Sequence, residues 1–65
     1  MPQNTVNMIT TAGKDEVILG NIDKGTVGSI TRLDGEIEFN FRSTIVVTKE
    51  QAALIAAHLI TLITQ

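Results

Sequence analysis

The sequence predicts an α+β fold: an antiparallel four-stranded β-meander over residues 5–47, then one C-terminal amphipathic helix over residues 48–64, assembled as a dimer. Three observations carry this expectation. Asp34-Gly35 stands between two segments of alternating polarity, the strongest short-range hairpin signal a sequence offers. Thr48-Lys49-Glu50-Gln51 has capping-box spacing and opens a run free of Gly and Pro. That run is apolar over an arc of ~200°, about twice what one small sheet covers, so the helix needs two apolar partners.

Sixty-five residues make one domain at most, with residues 1–4 expected to fray. Burial in so small a core only about offsets the entropy lost on ordering the chain. No cysteine is present to staple the fold, so association is the remaining common remedy. Zero Cys also removes disulfides, thiolate metal sites and Cys nucleophiles, and fits a cytoplasmic protein. The opening MPQNTVN has no basic or apolar region of the kind a signal peptide needs. No apolar run reaches the ~18 residues of a membrane span, and the helix lacks the Lys and Arg of a membrane-surface helix. A net charge of −2 disfavours nucleic acid, whose binders present a basic face.

Along the chain, TVNMIT (Thr5 to Thr10) reads as an opening strand with Val6 and Met8 on one face and Thr5, Asn7 and Ile9 on the other. Ala12 to Asp15 is a turn in which Gly13 supplies a positive φ. Glu16 to Ile22 is the second strand; its contiguous Val17, Ile18 and Leu19 suit cover on both faces, and Gly20 marks a bulge or close approach. Asp23-Lys24-Gly25 is a hairpin loop leading into the third strand, Thr26 to Leu33. Glu36 to Arg42 alternates strictly, with Ile37, Phe39 and Phe41 inward. A two-residue loop pairs Leu33 with Glu36, hence Ile30 with Phe39 and Gly28 with Phe41, where the missing side chain makes room for the ring. Arg32 falls inward near the hairpin tip and snorkels out. Ser43-Thr44 bends the chain, and residues 44–47 pair with the first or second strand or with another chain.

On the helix, Ile55, Leu59, Ala52, Ile63, Ala56, Ile60, Ala53 and Ala57 fill the apolar arc. Gln51, His58, Thr61 and Gln65 share the opposite strip, with Leu54 and Leu62 intruding on it. Phe39 and Phe41 are expected beneath the helix, with Ile37, Ile30, Ile55 and Leu59 around them. Ala53, Ala57 and Ile60 are the expected dimer contact.

No residue set points to catalysis, a cofactor or a metal. His58, the single histidine, has no ligand or base partner at helical spacing. Asp15, Asp23 and Asp34 lie in turns, where carboxylates bond their own backbone, and Glu36 and Glu38 alternate on a solvated face. Gly25-Thr26-Val27-Gly28-Ser29 lacks the Lys-Ser/Thr ending and the following helix of a phosphate loop. The outward sheet face offers Ser29, Thr31, Glu38, Asn40 and Arg42, with Lys24 at a strand end. Hydroxyls and amides with one charge of each sign suit a hydrogen-bonded protein contact better than a phosphate track.

The strand-to-helix junction Ile45-Val46-Val47-Thr48-Lys49-Glu50-Gln51, set behind a small meander, is similar to that of the dimeric PC4-like single-stranded DNA-binding fold. The resemblance implies a dimer built by the helices and a curved sheet that binds DNA. The residues themselves favour a small, non-enzymatic, homodimeric inhibitor or adaptor that occupies another protein, a profile shared with small acidic proteins of mobile elements. A PC4-like single-strand binder is the alternative.

Overall fold

A computed structural model describes residues 4–65; of residues 1–4, expected to fray, 1–3 lie outside them and Asn4 pairs in a short strand. The strands are β1 (Asn4–Thr5), β2 (Met8–Ala12), β3 (Glu16–Asn21), β4 (Gly25–Leu33), β5 (Glu36–Phe41) and β6 (Ile45–Val46), followed by helix α1 (Lys49–Thr64). β2, β3, β4 and β5 form an antiparallel four-stranded sheet in sequence order. This is the expected meander with its C-terminal helix.

Each turn follows its local chemistry. Gly13, Gly25 and Gly35 take φ of 68°, 81° and 81°, where a Cβ would be strained. Asp34 keeps a negative φ, so Gly35 alone supplies the positive φ of this turn. Leu33 pairs with Glu36, Ile30 with Phe39 and Gly28 with Phe41, as the alternation predicts. A Cβ at Gly28 would collide with the Phe41 ring. The register shifts between Leu19 and Gly20, so Gly20 does mark a bulge.

The opening strand departs from expectation. Its residues divide between two partners: Asn4–Thr5 pairs parallel with β6, while Met8–Ala12 pairs antiparallel with β3. The Val6 amide donates to the Val46 carbonyl at 2.9 Å and the Asn7 amide to the Gly20 carbonyl at 3.0 Å. The change of partner turns Val6 into the core at 1% exposure and leaves Met8 on the other face, so the two do not share a side. Residues 45–46 therefore pair within the chain. Asn21 secures this corner by donating from Nδ2 to the Thr5 carbonyl at 2.7 Å, while its Oδ1 accepts the Asp23 and Lys24 amides.

The helix begins as predicted. Thr48 is the N-cap, its hydroxyl accepting the Gln51 amide at 3.1 Å, with Glu50 in the first turn. Its rotation differs from expectation. Leu62 is the one buried helix residue, and Gln51, Ile55, His58 and Leu59 are half-buried beside it. Of the strip assigned to solvent, Leu62, Gln51 and His58 turn toward the sheet while Leu54, Thr61 and Gln65 stay exposed; Ile55 and Leu59 pack against the core as expected. Only Val47 and Thr48 separate β6 from the helix, so the strand junction sets the helix rotation before the width of the apolar arc can.

The core is Val6, Val17, Leu19, Val27, Ile30 and Leu62. The helix lies closest to β2 and β4. Phe39 and Phe41 point to the inner face as expected, yet remain 55% and 38% exposed, so they are not the core under the helix. The reason is width. A helix with its side chains is ~10–12 Å across and strands lie ~4.8 Å apart, so one helix covers roughly two to three strands and leaves one edge of four bare. The bare strand is β5.

Candidate interaction surfaces

Two surfaces stand out, one on each face of the sheet. On the inner face a furrow runs between α1 and β5. At one end a hollow of about 280 Å³ is lined by Leu19, Ile30, Phe39, Phe41, Ile45, Val47, Ala52 and Ile55. At the other, near the hairpin tip, a second hollow of about 230 Å³ is lined by residues including Arg32, Ile37, Leu62 and Ile63. The two hollows thus lie toward opposite ends of the helix, one beside Ala52 and Ile55 and the other beside Leu62 and Ile63. The two phenylalanine rings meet edge to face, 6.1 Å between centroids at 69°, and form a stiff apolar wall.

Above the furrow the helix presents an exposed apolar ridge. Ala53, Ala57 and Ile60 lie on it, exposed in the single chain, and Ile63 joins them at 65% exposure. Sequence reasoning placed Phe39 and Phe41 in the core and so missed the furrow. The signal was present in the ~200° apolar arc, too wide for the cover one helix gives and receives.

On the outer face the β4–β5 ladder sets Ser29 beside Asn40 and Thr31 beside Glu38. The ladder thereby brings four of the candidate contact residues into one block. Glu16 adjoins them, since its carboxylate accepts the Thr31 hydroxyl at 3.4 Å. Lys24, in the β3–β4 turn, and Arg42, just past β5, are both exposed at the end of the ladder away from the hairpin tip. Next to Lys24 the face carries a hollow of about 260 Å³ lined in part by Met8, Ile18, Gly20 and Thr26. Gly20, beside the register shift, is one of its lining residues.

Arg32 does not simply reach into solvent. Its Nε lies 3.1 Å from Asp15 Oδ1, and its amide donates to the Asp15 carbonyl at 2.7 Å. The pair ties the β2–β3 turn to β4 near the furrow's hairpin end. His58 is half-buried on the sheet side of the helix. Among the described residues no three His, Asp or Glu side chains gather to hold a metal ion, and no helix is long and apolar enough to cross a membrane. Comparison with family models, curated proteins and solved structures gave no match.

Proposed function

We propose that the protein is a small, non-enzymatic homodimer that acts by occupying another protein, as an inhibitor or adaptor. The observation that supports this most is the outer face. Ser29, Thr31, Glu38 and Asn40 form one hydrogen-bonding block on rigid strands, with Arg42 and Lys24 exposed at one end. Such a mixture of neutral donors, acceptors and single charges suits a protein surface. Arg42 is the expected centre of binding energy, since arginine is enriched where few residues carry it. The inner face serves self-association, with Ala53, Ala57 and Ile60 near the contact.

The PC4-like reading draws on one observation: the Phe39 ring is more than half exposed, and bases stack on such rings. No Lys or Arg lines the Phe39 hollow to hold phosphate, which places this reading second.

The test is a pull-down from the native host followed by mass spectrometry, with Arg42→Ala and Glu38→Ala as separate baits of unchanged melting temperature. Loss of one captured protein in Arg42→Ala is the expected result. Capture that survives both changes but disappears with His58→Ala or Thr61→Ala would move the binding surface to the helix. Oligonucleotide binding that weakens in Arg42→Ala and falls steeply with salt would favour the PC4-like reading.

A further inference from the structure

Building on the homodimer reading above, we propose that the furrow between α1 and β5 is filled by the helix of a second copy. The sheets of the two chains then face each other across a shared layer of two helices.

The molecule carries both halves of this contact on one side. The furrow is concave and walled by Phe39 and Phe41; the ridge beside it is convex and carries Ile60 and Ile63. At ~100° per residue, Leu62 points to the chain's own sheet, Ala52 and Ala56 to the furrow, and Ala53 and Ile60 away from the sheet. An unrelated apolar segment would fill the furrow and leave the ridge in water. A second copy related by a two-fold axis fills both furrows and covers both ridges in one self-complementary contact.

Area and charge agree. At roughly 200 Å² per large side chain, the exposed parts of Phe39, Phe41, Ile60 and Ile63 come to about 400 Å², and the exposed alanines raise this to about 500–600 Å² per chain. Complete cover of these residues in two copies would bury about 1,000–1,200 Å² in total, at the boundary between weak and standard specific interfaces. None of these residues is charged, so two chains of net charge −2 meet without opposing charges at the centre. The one cation among the described residues that line the furrow, Arg32 at the hairpin end, is already paired with Asp15, which speaks against a nucleic-acid strand as the occupant.

The arrangement has a consequence for binding. The two outer faces, each with its Arg42, point away from each other. The dimer is then bivalent and bridges two partner molecules rather than clamping one.

The chain has no cysteine, so introduced thiols are unique. Chains carrying Ile37→Cys, on the furrow face of β5 two residues from Phe39, are mixed with chains carrying Ala53→Cys or Ala57→Cys and treated with a short bis-maleimide, alongside sedimentation of the wild type; each change leaves Phe39, Phe41, Ile60 and Ile63 in place. A sedimenting dimer and a cross-link from Ile37→Cys to one of the two helix positions are expected. A wild type that stays at 7.0 kDa overturns the homodimer reading and this proposal together. A wild-type dimer in which neither mixture cross-links overturns this arrangement alone and leaves the homodimer reading standing. Ile60→Glu gives a second readout: its side chain is 62% exposed in the single chain, so the variant is expected to stay helical and become monomeric. A helical Ile60→Glu dimer would also overturn the arrangement.

Discussion

The three strands β2, β3 and β4 and their neighbour β5 belong to one sheet and obey one register, yet they live in different surroundings. Val17, Leu19 and Ile30 are at most 2% exposed beneath the helix, whereas Phe39, cross-strand partner of Ile30, is 55% exposed. Strand pairing decides which face a side chain takes; only a second layer decides whether that face is dry. Two adjacent residues on one face can therefore differ in their contribution to stability by most of the cost of a core truncation.

That contrast orders the expected effects of substitution. Leu19→Ala, at 0% exposure in the covered half, should cost ~2–5 kcal/mol and show as a large fall in denaturant midpoint at every protein concentration. A small fall would mean the covered half is loosely packed and the contrast is false. Gly28→Ala tests the boundary between the halves. Its Cβ would strike the Phe41 ring, so a cost of ~1–3 kcal/mol is expected from overpacking. Thermal melting checks this, and Gly28→Ala combined with Phe41→Leu should recover part of the loss. Thr48→Ala removes the cap that anchors the helix beside β6, with an expected cost of ~1 kcal/mol in the same melts.

What was legible in the sequence was local. Asp34-Gly35 and the alternation after it place Gly28 against Phe41, because a two-residue loop leaves the register no freedom. Thr48 announces the helix start through a bond only three residues long. The pairing of β1 with β6 was only half legible. Two-residue strands about forty residues apart carry no pattern, although the apolar run at residues 45–47 did demand a partner. The helix rotation was not legible, since an arc of ~200° is satisfied by many rotations and the choice falls to the strand junction. Leu62 was therefore read as an intruder when it is the anchor. The outer block of Ser29, Thr31, Glu38 and Asn40 follows from the register, and so was legible as a place; which partner meets it depends on chemistry outside the chain.

The central claim is that the bare strand is covered by association. The most direct measurement is the melting temperature of wild type and Phe39→Ala over a hundredfold range of concentration. A dimer that binds only the folded state makes melting concentration-dependent. The wild type should melt higher as concentration rises, while Phe39→Ala should show little dependence and match the wild type most closely at the dilute end. The contradicting result would be a wild-type melting temperature independent of concentration, with Phe39→Ala lower by a constant amount throughout. Phe39 would then act within the single chain.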